Sequence, residues 1–166
     1  MVVPLVWLIA TERLEAAFWL LIAAGISDAL DGYIAKHFNA RTELGAQLDP
    51  LADKVLLDGI YLALAMVQWL PPWLAFLVIL RDLLIVAGVV LIRRRNPVFR
   101  ARPLLIGKLN TFAQIFLAAA AIAHADGLLD LGALIGLLTV VVTVTTLASG
   151  AGYAVQAMRS VGEATR

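Results

Sequence analysis

Apolar residues run almost unbroken along five stretches of this chain, roughly Ala16 to Ile26, Val55 to Leu70, Pro72 to Ile92, Leu109 to Ala125 and Leu128 to Ala157. Counted with their polar ends, most reach the ~20 residues at which a helix rising ~1.5 Å per residue crosses a hydrocarbon layer ~30 Å thick. The pattern predicts membrane-spanning helices whose core is helix against helix. The first apolar stretch, Met1 to Ala10, covers only about 15 Å, half a span. Thr11-Glu12-Arg13-Leu14-Glu15 then reads as a polar hairpin, with Thr11 the N-cap of the next helix and Glu12 in its first turn. A cleavable signal peptide fits poorly, because the basic leading region is missing and acidic residues follow at once. The expectation is an all-α, polytopic transmembrane helical bundle of about six helices, the first truncated, forming one domain over residues 1–166.

Composition agrees with that reading. With 62% hydrophobic and 15% charged residues and a mean hydropathy of +0.92, the chain is excluded from the ordinary soluble domains, whose apolar share is nearer half. Cysteine is absent, which rules out disulfides, thiolate ligands and thiol catalysis. The net charge of +1 says little, but its placement says more. Lys36, Arg41, Lys54, Arg93, Arg94, Arg95, Arg100, Arg102, Lys108, Arg159 and Arg166 gather at alternate ends of the apolar runs, whereas the breaks at 69–72 and 124–130 carry no basic residue. By the positive-inside rule the basic ends face the cytoplasm.

The carboxylates carry the chemistry. Asp28 and Asp31 stand three residues apart at the end of one apolar segment, and Asp49 and Asp53 four apart at the start of the next. On helices each pair shares a face. Four oxygen donors converging in a low-dielectric setting repel one another unless hard cations neutralise them, and carboxylates are what Mg2+ or Mn2+ prefers. A metal site on the cytoplasmic side follows.

Asp28-x2-Asp31-Gly32-x2-Ala35-Lys36-x8-Gly45-x3-Asp49-x3-Asp53 resembles the signature of the CDP-alcohol phosphatidyltransferases, departing only at Lys36, where the family usually has arginine. Lys36 keeps the charge but not the bidentate fork. Leu48-Asp-Pro-Leu-Ala-Asp-Lys54, Arg81-Asp82 and Gly107-Lys108-x2-Thr111-x2-Gln114 extend the resemblance, which covers nearly the whole chain, toward the branch that makes cardiolipin or phosphatidylglycerophosphate. It implies that Asp28, Asp31, Asp49 and Asp53 hold two Mg2+ or Mn2+ ions beside the pyrophosphate of CDP-diacylglycerol. It further implies that Asp53 deprotonates the acceptor hydroxyl, and that the phosphatidyl group moves to an alcohol with release of CMP. Gly32 and Gly45 lack a Cβ, which lets a nucleotide approach two helices closely, and Ala35 serves the same end; with Asp28, Asp31, Lys36 and Asp49 they form the expected nucleotide site. Close helix packing is the alternative for the glycines.

Charge within the fourth run also needs an explanation. Arg81 lies between Leu77-Val-Ile-Leu80 and Leu83-Leu-Ile-Val86, and is expected either to hold a substrate phosphate or to form a buried ion pair that fixes helix register, Arg81 with Asp58 or Asp82 with Lys108. Arg81, Arg94, Arg102 and Lys108 form the candidate acceptor site; topological anchoring is the alternative for the basic cluster. Pro50 suggests that the third helix begins or bends there, freeing a carbonyl near Ala46. His37 and His124 do not read as ligands. Gly132-x3-Gly136 and Ser149-Gly150-Ala151-Gly152 suit either a dimer seam or intramolecular packing, and the resemblance favours a homodimer.

The expected function is transfer of a phosphatidyl group to phosphatidylglycerol, giving cardiolipin. The alternative acceptor is glycerol 3-phosphate, as in a phosphatidylglycerophosphate synthase. The partners are then CDP-diacylglycerol, one of those acceptors and membrane lipids, with no nucleic-acid polymer, in the bacterial inner membrane. A divalent-metal channel or carrier is the non-enzyme alternative, but it leaves Gly32 and Gly45 unexplained, and there is no internal repeat of the kind transporters show.

Overall fold

The computed structural model describes residues 2–37, 43–95 and 104–164; within its helices, the side chains of 28–29, 31–37, 43–52, 91, 93–95, 157 and 159–164 lie outside the description. The described residues form six helices and no strand: α1 Val2–Ala10, α2 Leu14–His37, α3 Glu43–Met66, α4 Pro72–Arg95, α5 Leu105–Ala125 and α6 Gly132–Ala164. The chain is an all-α membrane protein, as its apolar runs predict. It divides into two compact units, Met1–Pro72 with Ala118–Gly132, and Trp73–Leu117 with Ala133–Arg166.

Length alone does not make a span. α2, α3 and α4 have 24 residues each, about 36 Å of helix. Among the described residues, Pro72–Val90, Leu105–Ala125 and Gly132–Gln156 are long and apolar enough to cross a bilayer, and Leu14–Ser27 is the described apolar part of α2. In α3 the charges of Asp49, Asp53 and Lys54 occupy the first half, and apolar residues take over only after them.

In the first unit α1 lies against α3 and α2. Leu5 and Ile9 bury fully against a core that includes Leu57, Ile60, Tyr61 and Leu64. Gly59 permits that contact, since a Cβ there would stand 3.2 Å from a Val6 methyl and 3.3 Å from one of Val2. Thr11 does not cap α2. Its hydroxyl donates back to the Trp7 carbonyl at 2.8 Å, so it finishes α1, and the first helical bond of α2 runs from the Ala17 N–H to the Arg13 carbonyl. Glu12 takes a left-handed φ of 55°, while the Arg13 N–H reaches Leu8 and the Glu12 N–H reaches Ile9. This paired closure satisfies carbonyls that a helix end otherwise leaves bare. The same closure recurs after α3 at Gln68 (φ 63°) and after α5 at Gly127 (φ 76°). At the α5 end, His124 accepts a hydrogen bond from the Leu131 N–H at 3.2 Å and meets the Trp69 ring edge-on, so it braces a hairpin.

The second unit buries polar groups among its apolar core and exposes large apolar side chains. Arg81, Asp82, Asn110, Gln114, Thr146 and Ser149 are buried, while Phe76, Leu83, Phe112, Phe116, Leu137 and Val144 are exposed. Water would penalise that arrangement; lipid, as apolar as leucine, does not.

Candidate active site

The signature occupies two helices. α2 carries Asp28, Asp31, Gly32, Ala35 and Lys36 in its last turns, and α3 carries Gly45, Asp49 and Asp53 in its first. Both helices run unbroken through these positions, so Asp28 and Asp31 stand one turn apart, as do Asp49 and Asp53. Of the signature residues only the side chain of Asp53 is described, and it is exposed, next to a half-buried Lys54. The rest, with the metal and nucleotide sites assigned to them, lie outside the described side chains, as do Arg94 and Arg102. Pro50 falls inside α3, seven residues after Glu43, so the helix does not begin there. Proline has no N–H, which leaves the Ala46 carbonyl without its usual helical donor.

Midway along α4, the side chains of Arg81 and Asp82 are described. The Arg81 guanidinium is buried, and its two η nitrogens donate to the Asp82 carboxylate and to the Ser149 hydroxyl of α6. Its Nε is buried with no hydrogen-bond partner among the described residues. The Tyr153 ring lies 5.8 Å from the guanidinium carbon. Gly107, at the start of α5, faces the same group: a Cβ there would come within 3.4 Å of Arg81 and 3.6 Å of Ser149 and Tyr153. One turn along α5, Asn110 accepts a hydrogen bond from Thr146 at 2.9 Å and lies 2.8 Å from the Thr145 hydroxyl, while its own Nδ2 is buried without a partner. Among the described residues, Arg81 Nε and Asn110 Nδ2 thus lack acceptors where burial makes that costly. Lys108 is exposed on α5.

Sequence reasoning singled out Arg81 and its need for a partner, but not Asn110, Ser149 or Tyr153. Ser149 had read as part of a small-residue seam. In the structure Gly150 lies against Arg81 and Gly152 against Leu104, so this stripe packs within the chain. Around Gly136, by contrast, no other group comes within 4 Å of where a Cβ would stand.

The family model described as CDP-alcohol phosphatidyltransferase matches residues 1–146. A cardiolipin synthase (CMP-forming) of Homo sapiens is 36% identical over 133 residues, covering 70% of this chain and 44% of that protein. The chloroplastic CDP-diacylglycerol--glycerol-3-phosphate 3-phosphatidyltransferase 1 of Oryza sativa subsp. japonica is 34% identical over 168 residues, 90% of this chain and 51% of its own. A probable phosphatidylglycerophosphate synthase of Mycobacterium tuberculosis is 30% identical over 145 residues, 87% of this chain and 67% of its own. The chain spans about half the length of the curated relatives it matches.

Proposed function

The chain belongs to the CDP-alcohol phosphatidyltransferase family, and from that membership we propose that it moves a phosphatidyl group from CDP-diacylglycerol to the hydroxyl of phosphatidylglycerol, giving cardiolipin and CMP. The observation that carries this is the signature itself, with seven of its eight fixed residues present at the fixed spacing on α2 and α3. The human relative's name supports the cardiolipin product. Glycerol 3-phosphate is the second reading for the acceptor, favoured by the rice relative, whose match covers 90% of this chain.

Asp28, Asp31, Asp49 and Asp53 offer only oxygen donors, a set that suits Mg2+ or Mn2+. Two such ions, when bound, supply positive charge beside the oxygens that attack and leave during phosphoryl transfer. The chain's own residues do the rest. Asp28, Asp31, Gly32, Ala35, Lys36, Gly45 and Asp49 receive the cytidine diphosphate part of the donor, and the two glycines keep that approach clear. Asp53 accepts the proton of the acceptor hydroxyl as its oxygen bonds to the lipid-side phosphorus, and the bond to the CMP oxygen breaks. Arg81, Arg94, Arg102 and Lys108 receive the acceptor. The basic run from Arg93 to Arg102 supports a cytoplasmic orientation for this chemistry by the positive-inside rule, the membrane of the proposal is a bacterial inner membrane, and the open face at Gly136 is where a second copy would pack.

The experiment is direct. Purified protein is given CDP-diacylglycerol with each acceptor in turn, and product mass and CMP release are read with and without divalent metal. Cardiolipin formed only with metal supports the proposal; phosphatidylglycerophosphate instead selects the second acceptor, and no CMP with either rejects the transferase reading.

A further inference from the structure

α4 and α6 leave a cavity of about 440 Å3 between them, walled by Leu84, Val89 and Ile92 on one side and Leu147, Ala151 and Ala154 on the other. It falls in the ~300–1,000 Å3 range of ligand sites, and its wall is almost wholly carbon. Arg81, Tyr153 and Gln156 bring the main polar groups to it. Gly88 lines its open part, with no other group within 4 Å of where a Cβ would stand. An unfilled apolar cavity forgoes contacts on every wall. In a bilayer the ready filler is a lipid chain.

The polar end narrows the choice of lipid group. Asp82 balances the Arg81 charge and Ser149 takes the other η nitrogen, so among the described residues Nε is the one guanidinium nitrogen without an acceptor. A further anion would enter a carbon-walled space whose cation is already matched, at the cost of its own desolvation. A neutral carbonyl oxygen carries no charge to desolvate and gives Nε the acceptor it lacks. In a glycerolipid that oxygen is the ester carbonyl, joined to the chain that would fill the cavity.

We infer that the α4–α6 cavity is the acyl-chain subsite for the acceptor lipid, with the ester carbonyl accepting from Arg81 Nε. The inference rests on the transferase reading and deepens it: the acceptor is a diacyl lipid, which glycerol 3-phosphate is not. The donor signature lies on α2 and α3, and neither wall of this cavity carries any of it.

The test uses the full chain in detergent micelles with phosphatidylglycerol bearing a diazirine on its acyl chain, and maps crosslinks by peptide mass spectrometry. Label is expected on residues 84–92 and 147–154, at least about tenfold less in Gly88→Phe and in Ala154→Leu. Either variant reads the outcome if melting shows the other unfolded. Unlabelled phosphatidylglycerol should compete, while CDP-diacylglycerol and glycerol 3-phosphate should not, and an ether-linked analogue lacking the carbonyl should label several-fold less. Labelling elsewhere, labelling unchanged in both variants, equal competition by CDP-diacylglycerol, or equal labelling by the ether analogue overturns the assignment. Crosslinking needs no turnover. Loss of CMP release with this labelling intact therefore rejects the transferase reading alone, and transfer without it rejects the subsite alone.

Discussion

Two sets of charges interrupt the apolar helices of this protein, and they are balanced differently. In α4, Arg81 has a carboxylate beside it in Asp82 and a hydroxyl across from it in Ser149. The signature places four carboxylates on α2 and α3 against the two neighbouring lysines, Lys36 and Lys54. A matched buried pair persists without any ligand and asks at most for a neutral acceptor. A surplus of carboxylates at the end of an apolar helix is costly until cations arrive. The first arrangement suits a wall that receives a lipid; the second suits a site that must gather metal and a pyrophosphate before it reacts.

The largest test of that contrast removes chemistry from the surplus side. Asp53→Asn should lower transfer by at least about a hundredfold, the usual range for a lost general base, while CDP-diacylglycerol still binds and the melting temperature holds. Turnover near wild type would take Asp53 out of that role. Asp28→Asn and Asp31→Asn should act differently, raising the Mg2+ or Mn2+ concentration needed for half-maximal activity together with the KM for CDP-diacylglycerol. An unchanged metal titration would show that these two carboxylates do not ligate.

Unbalancing α4 should cost stability instead. Asp82→Asn leaves the Arg81 charge buried without its carboxylate, a change worth about 3–5 kcal/mol in such pairs, read as a lower melting temperature in detergent. The double change Arg81→Met with Asp82→Leu should recover most of that loss, because it removes both charges. If the single variant melts like wild type, the pair is not what balances Arg81.

The same contrast explains what could be read from the chain before its structure. The spans were legible in α4, α5 and α6 because lipid demands apolar residues at every outward position. α2 and α3 reach the same length in helix but only part of it in apolar residues, since the signature occupies their adjoining ends. The family was legible because the aspartates and glycines keep a fixed spacing along the chain. The partner of Arg81 was not. Residues i and i+1 point apart on a helix, so spacing directs Arg81 to Asp58 rather than to Asp82, although a long arginine side chain can fold back to its neighbour. Ser149 was hidden in a stripe of small residues, whose packing partner no spacing identifies. Thr11 fits an N-cap by residue type, and only the hydrogen bond to Trp7 shows that its hydroxyl serves the preceding helix.

The smallest effect separates balance from donation within Arg81 itself. Arg81→Lys keeps a cation beside Asp82, so the pair stays matched, and the loss of the Ser149 bond should cost only about 0.5–1.5 kcal/mol. Lysine has no Nε–H between carbon neighbours and no planar fork, so the donor left for a lipid carbonyl disappears. The KM for phosphatidylglycerol should then rise several-fold while that for CDP-diacylglycerol stays nearly constant, with the melting temperature close to wild type. A purely structural arginine predicts another pattern, in which both substrates lose alike and the loss tracks the fall in melting temperature. Measuring the two KM values and the melt on the same preparation decides whether α4 holds its charge for the fold alone or also for the acceptor.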